Sequence, residues 1–264
     1  MPPPITIEAL DDPRVDDYQH IADHQHMLDR GLFIAEGRLV VRRLLDLRHW
    51  NIDSILLTPA AADNLSDVLP LSNAPIYLVA QALMNAIAGF NIHRGCLALA
   101  HRPTVAPLDR VADGPLSRVL LLEGVNNPDN VGGLFRTAAA FGADLVVMGP
   151  SCGDPLYRKA IRTSMGATLA VPYVTASQWP GAITDLRADG FTVAALTPQH
   201  QAVPLHDVSR HAKLALVVGA EGDGLSEAAL AAATFRVRIP MTPLVDSLNV
   251  TTAASIAMYH CWQE

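Results

Sequence analysis

Three polar stretches of this chain place groups able to bind or align a ligand inside loop-forming surroundings. The first is Gly124-Val125-Asn126-Asn127-Pro128-Asp129-Asn130-Val131-Gly132-Gly133-Leu134-Phe135-Arg136. Glycines at the entry to a helix let backbone approach an anion or another chain closely, and close helix–strand packing would explain them as well. Asn130 and Arg136 are about a turn and a half apart, so the spacing reads as an arginine lying near a loop asparagine. The second stretch, Val218-Gly219-Ala220-Glu221-Gly222-Asp223-Gly224-Leu225-Ser226, is a tight Gly-rich loop with Glu221 at its centre. In the third, Ile239-Pro240-Met241-Thr242-Pro243-Leu244-Val245-Asp246-Ser247-Leu248-Asn249, two prolines precede a serine and an asparagine placed where a helix would begin. Either side chain can satisfy orphan backbone N–H groups there. A capped helix alone accounts for that stretch; beside the other two it becomes part of a candidate site. Neither G-x-G-x-x-G nor G-x-x-x-x-G-K-[ST] occurs, which leaves a dinucleotide fold or a P-loop NTPase without support.

These loops need a frame, and the flanking residues supply it. Val119-Leu120-Leu121-Leu122, Leu145-Val146-Val147-Met148, Phe191 to Leu196 and Leu214 to Val218 are continuous apolar runs, the style of parallel strands buried on both faces. Phe235, Val237 and Ile239 alternate with Arg236 and Arg238 as in a half-buried strand, which Pro240 ends. Asn249 to Trp262 reads as a closing apolar helix. From Ile5 to about Arg102 shorter strands (Leu32–Ala35, Ile52–Leu57, Ile76–Val79, Cys96–Ala100) alternate with amphipathic helices, suggesting a smaller three-layer α/β domain. Pro103 to Ser117 has three prolines and little periodicity, as in an interdomain linker. The expected division is 1–105, a linker over 106–117, and 118–264.

Composition sets the outer bounds. The chain has 264 residues, 50% hydrophobic and 17% charged, so it can bury large cores. No apolar run approaches the ~20 residues of a membrane helix. Met1-Pro2-Pro3-Pro4 lacks the basic and apolar regions of an export signal, and three scattered cysteines form no C-x-x-C; a cytoplasmic protein without a zinc site or disulfide framework is expected. His20, His24 and His26 lack a third ligand, so no metal is expected. The net charge of −7 excludes a broadly basic nucleic-acid coat but not a local basic groove. Arg38, Arg42, Arg43, Arg48 and His49 along the first long helix, and Arg158, Lys159 and Arg162 on a helix over Leu156–Met165, read either as solvated faces or as RNA-phosphate contacts.

In this order, Asn130-x-Gly132-x-x-x-Arg136, Gly219-Ala220-Glu221-Gly222-x-Gly224-Leu225-Ser226 and Ile239-Pro240-Met241 with Ser247-Leu248-Asn249-Val250 resemble the SpoU/TrmH-type RNA 2′-O-ribose methyltransferases of the SPOUT class, across roughly residues 118–264. Phe33-Ile34-Ala35-Glu36-Gly37 looks like part of that family's appended L7Ae/L30e-like RNA-binding domain. The resemblance implies an α/β fold: a C-terminal parallel sheet flanked by helices and tied in a deep trefoil knot, beside a smaller N-terminal domain. It implies S-adenosylmethionine as cofactor, held around Gly219, Ile239, Met241, Leu248 and Leu196. It also implies a homodimer formed through the C-terminal domain, with ribosomal or transfer RNA as substrate and no membrane. Arg136 is then the central catalytic residue, supported by Asn130, Glu221, Ser247 and Asn249, while Arg38, Arg42, Arg158 and Arg162 contact RNA. A sulfonium methyl is already electrophilic, so such an enzyme must align a 2′-hydroxyl and take up its proton. The guanidinium, with a pKa above ~12, suits an electrostatic anchor better than a base. Asn130 and Glu221 are expected to hold it. The chain departs from the family at Pro243, where a glycine is common. A non-catalytic RNA-binding protein that kept the fold is the alternative; it predicts disruption of Asn130, Arg136, Glu221, Ser247 or Asn249, and all are present.

Overall fold

The computed structural model describes residues 3–103 and 116–262, which cluster into two compact units. Of the expected linker, 106–117, only Leu116 and Ser117 fall among the described residues. The first unit holds five strands: β1 (Ile5–Thr6), β2 (Leu32–Glu36), β3 (Ile52–Leu57), β4 (Ile76–Leu78) and β5 (Cys96–His101), in the order β1-β4-β3-β5-β2. β1, β4 and β3 run parallel, and β5 is antiparallel to both β3 and β2. Its helices are α1 (Asp16–Gln19), α2 (His24–Asp29), α3 (Arg38–Leu47), α4 (Pro59–Leu65) and α5 (Gln81–Ala88). In α3 the buried positions Val40, Val41, Leu44 and Leu45 recur at helical spacing and face the sheet. That spacing leaves Arg38 and Arg43 exposed.

The second unit is a seven-stranded, all-parallel sheet. Its strands are β6 (Arg118–Leu122), β7 (Leu145–Met148), β8 (Tyr173–Thr175), β9 (Thr192–Leu196), β10 (Val203–Pro204), β11 (Leu214–Val218) and β12 (Phe235–Arg238), ordered β10-β12-β9-β11-β6-β7-β8. The chain steps outward from β6 through β7 to β8, then returns on the other side, leaving the slot beside β6 to β11. Such a reversal opens a crevice at the carboxyl ends of the strands. Helices α6 (Pro128–Ala140), α8 (Gly181–Ala188), α9 (Glu227–Ala232) and α10 (Val250–Trp262) cover the sheet. Residues of β6, β7, β8, β9 and β11, including Val119, Leu121, Val147, Val193 and Val217, pack with Ile183, Leu186, Ala229 and Leu230 of α8 and α9. The helices α6 and α10 pack together, α10 also meeting β11.

Two expectations need correction. The glycines Gly132 and Gly133 are not at a helix entry, because α6 already begins at Pro128 with Asn127 accepting from the Asp129 N–H as its cap; proline at the first position is pre-set for a helix. What Gly133 provides is close helix–helix approach: a methyl there would lie 2.8 Å from Thr251 Oγ1 on α10. The second correction concerns α7 (Arg158–Thr163). The expected 118–264 domain included it, yet Leu156–Leu169 clusters with the first unit, where α7 packs on β2 and buries Ala160 and Ile161. Among the described residues no helix is long and apolar enough to cross a membrane.

Candidate active site

The carboxyl ends of three neighbouring strands, β12, β9 and β11, open into a cavity of about 370 Å³. Each strand hands over to one wall: Leu196 ends β9 and Thr197 and Pro198 follow it, the loop Gly219–Gly224 follows β11, and Ile239 and Met241 follow β12, with Ser247, Leu248, Asn249, Val250 and Ala253 closing the far side. All five residues expected to hold a cofactor, Leu196, Gly219, Ile239, Met241 and Leu248, are in these walls, as are Glu221, Ser247 and Asn249. Thr197 and Pro198 just after β9, Val237 within β12 and Ala253 in the first turn of α10 also line it and were not anticipated. The lining is mostly aliphatic, interrupted by one loop of backbone amides and a single carboxylate, Glu221. The glycines of that loop have steric reasons. A Cβ on Gly219 would fall 2.3 Å from the carbonyl carbon of Gly224, and Gly224 itself sits at φ +71. The loop therefore closes on itself, with Gly224 N–H donating to Ala220 O at 3.1 Å.

Asn249 joins the three motifs. Its Nδ2 donates to Asn130 Oδ1 at 2.9 Å and to Glu221 Oε1 at 2.7 Å, while its Oδ1 accepts from the N–H groups of Thr251 and Thr252 at the start of α10. One amide thus caps a helix and ties two loops. The expected hold of Asn130 and Glu221 on Arg136 is not what forms. Asn130 and Arg136 both lie on α6, and six residues at ~100° each carry them well off a common face. Asn130 is buried at 6% exposure; Arg136 is exposed, and among the described residues its guanidinium makes no hydrogen bond or ion pair. Ser247 is exposed on the cavity rim.

A second, polar cavity of about 610 Å³ lies on the other side of the Gly219–Gly224 loop, lined by Asn126, Asn127, Asn130, Ser151, Glu221 and Asp223 among others. Glu123, just past β6, also reaches it and is 9% exposed. Its carboxylate accepts from Trp179 Nε1 at 2.6 Å, Ser226 Oγ at 2.7 Å and Ser226 N–H at 2.9 Å. A charge at the end of an apolar strand is the one sequence signal that could have singled it out. The G-x-S-x-G spacing of a hydrolase's nucleophile turn occurs once, at Gly149-Pro150-Ser151-Cys152-Gly153 after β7, with Ser151 at φ 56. No histidine lines that cavity, so the Ser151 hydroxyl lacks the imidazole base of such a hydrolase. Burial raises the Cys152 thiol above its ordinary range, which lowers the thiolate fraction that attack would need.

All four arginines expected to contact RNA fall in the first unit. Arg42 is committed to Asp67, at 2.6 and 2.8 Å, and to Asn64 O. Arg158 pairs with Glu36 at 2.9 Å and lies 4.4 Å over the Phe90 ring. Arg38 and Arg162 are exposed. Among the described residues no group of three or more His, Cys, Asp or Glu is placed to hold a metal ion.

Comparison with known proteins places the chain among relatives. The SpoU rRNA methylase family matches residues 117–259. The chain is 42% identical over 256 residues to an uncharacterized tRNA/rRNA methyltransferase of Mycobacterium tuberculosis, covering 94% of this chain and 88% of that protein. It is 27% identical over 254 residues to the 23S rRNA (guanosine(2553)-2′-O)-methyltransferase RlmP of Bacillus subtilis, covering 96% and 98%. In fold it is similar to an AdoMet-bound rRNA methyltransferase from Sinorhizobium meliloti, with a TM-score of 0.83, 23% identity and coverage of 97% and 96%.

Proposed function

The chain belongs to the SpoU rRNA methylase family, an S-adenosylmethionine-dependent RNA methyltransferase family, and within that frame we propose that it methylates a ribose 2′-hydroxyl of structured RNA, ribosomal RNA before transfer RNA. The observation that carries this reading is the single amide of Asn249 joining Glu221, on the cavity wall, to Asn130 of the first motif. The cavity suits the cofactor on its own terms: its volume is in the range of small-molecule sites, and its aliphatic walls and exposed loop amides match a nucleoside with a polar tail. S-adenosylmethionine, when bound, supplies an electrophilic methyl group. Likeness to the Bacillus subtilis enzyme over nearly the whole of both chains favours ribose and ribosomal RNA.

The chain's own residues divide the remaining work. Glu221 and the Gly219–Gly224 backbone shape the cofactor wall; Ser247 and Asn249 border the place where a hydroxyl must approach. Arg136, exposed and without a partner among the described residues, anchors an RNA phosphate and the alkoxide developing on the 2′-oxygen, with a phosphate oxygen or water relaying the proton. Arg136 is absent from the walls of both cavities, so the site is read as completed by a second copy of the chain in a homodimer. Among the described residues, Arg38 and Arg162 are the two of the four named arginines without a hydrogen bond or ion pair, open to RNA on the first unit, which plays the part of an L7Ae/L30e-like substrate domain. A knotted passage of the C-terminal segment belongs to the same proposal.

The test is incubation with tritiated S-adenosylmethionine and, separately, rRNA and tRNA from a strain lacking the gene. Label in rRNA that protects its nucleotide from alkaline cleavage is expected. Arg136→Ala should lose at least about 100-fold in transfer, on the scale of removing an oxyanion-stabilising donor, and bind cofactor as before. Full activity of that variant would sink the role of Arg136. A protein that neither labels RNA nor binds the cofactor would be the non-catalytic RNA binder instead.

A further inference from the structure

We infer that Glu123 is a positioning residue for the methyl-donor loop. It does not line the cofactor cavity and acts through Ser226. The inference rests on the cavity being the S-adenosylmethionine site.

The loop Gly219–Ser226 is built as a stiff bracket. Gly219 packs against the Gly224 backbone too closely for any side chain, Ala220 and Gly224 form an isolated antiparallel bridge, and positive φ at Gly222 and Gly224 makes the bends. A stiff loop is placed by its two ends. One end continues β11 at the centre of the sheet. The other end is Ser226, whose Oγ accepts from Ala229 N–H as the cap of α9. That end is where Glu123 takes hold: Oε2 accepts the Ser226 N–H and Oε1 the Ser226 hydroxyl, with Trp179 Nε1 donating to the same Oε1. Because β6 lies beside β11, the carboxylate fixes the far end of the bracket to the neighbouring strand. Five residues of the bracket, Gly219, Ala220, Glu221, Gly222 and Gly224, wall the cofactor cavity. Releasing Ser226 therefore changes the cavity without removing a residue from it. A buried carboxylate accepting three donors resists replacement, since charge-assisted hydrogen bonds are about twice as strong as neutral ones.

The three partners separate this role from a merely structural one. Glu123→Gln puts an amide N–H2 against one of the donors. Ser226→Ala removes the hydroxyl contact and leaves Glu123 in place. Trp179→Phe removes a donor to Glu123 that does not belong to the loop. S-adenosylmethionine affinity would be measured by calorimetry for the full-length protein and each variant, with thermal melts recorded alongside. Glu123→Gln and Ser226→Ala are each expected to weaken binding about tenfold, the scale of one charged hydrogen bond, and the double variant by little more than either alone. Ser226→Thr, which keeps a hydroxyl, should recover binding, and Trp179→Phe should lower the melting temperature while leaving affinity within about twofold. Unchanged affinity in folded Ser226→Ala or Glu123→Gln overturns the inference, as does a Trp179→Phe loss as large as theirs. Should Glu123→Gln not fold, Ser226→Ala against Ser226→Thr decides alone. A wild-type protein that binds no S-adenosylmethionine would bring down the reading of the cavity itself, an outcome distinct from tight wild-type binding that the variants leave unaltered.

Discussion

A single amide carries the geometry of this site, and its two ends are chemically distinct. Asn249 donates from Nδ2 to Asn130 and Glu221 and accepts at Oδ1 from the start of α10. Asn249→Asp is nearly isosteric and keeps the cap, but it places an oxygen where the N–H2 had donated. That oxygen faces the Glu221 carboxylate, so one carboxyl of the pair will have a folded pKa raised above the ordinary value near 4. The sign follows from linkage. The unfolded chain ionises at the ordinary value while the folded chain resists, so the destabilisation is absent below about pH 4 and complete once pH exceeds the raised value. The melting-temperature gap between variant and wild type should thus open from about pH 4 to neutrality, corresponding to no more than about 1 kcal/mol because Glu221 and Asn249 are exposed, and should shrink in high salt. Calorimetric melts at several pH values measure it directly. A gap independent of pH would mean that Asn249 and Glu221 do not meet in solution.

At the scale of elements, the helix pair α6 and α10 is held close by a glycine. Alanine is the better helix former by about 1 kcal/mol, yet at position 133 its methyl would meet Thr251 Oγ1 at 2.8 Å and Cγ2 at 2.9 Å. Thr251 is β-branched and has few rotamers to yield with. Gly133→Ala should therefore destabilise the protein by roughly 1–3 kcal/mol, the usual cost of overpacking. Thr251→Ala in the same chain should restore most of it, and urea unfolding of the two singles and the double tests the coupling; additive losses would locate the cost elsewhere. This close approach was hidden from sequence, where the glycine pair read equally as an anion site. Strand cores were legible because continuous apolar runs such as Leu214–Val218 have one structural use in a parallel sheet. The short strands β1, β8 and β10 were not read from the sequence, although the equally short β4 was. The cavity residues were legible as motifs, but their connections were not: that Asn249, and not Arg136, takes Asn130 and Glu221 depends on helical phase and on folding across 119 residues.

For the whole molecule, the order of the chain and the order of packing differ. After Pro155 the chain leaves the second unit, contributes Leu156–Leu169 to the first, and resumes the second at Ala170. Within the first unit this segment is thoroughly engaged. Arg158 pairs with Glu36 and stacks on Phe90, Trp50 Nε1 donates to Leu169 O at 3.1 Å, and Leu156, Ala160 and Ile161 are buried. A fragment comprising residues 104–264 would retain the whole motif set yet lack every one of those partners, exposing the apolar side of α7 and leaving its backbone held only by a helix of six residues. Local opening governs proteolysis when reclosing is fast, so the consequence is readable with trypsin, for which Arg158, Lys159 and Arg162 are cleavage points within the segment. The fragment should be cut there at least about tenfold faster than the intact chain, the factor that about 1.4 kcal/mol of lost local stability produces. Mass spectrometry of the early products identifies the bonds. Cleavage of fragment and intact chain at equal rates within 156–169 would show that the segment holds its structure without the first 103 residues, and that the catalytic motifs can be separated from the arginine-bearing unit without penalty.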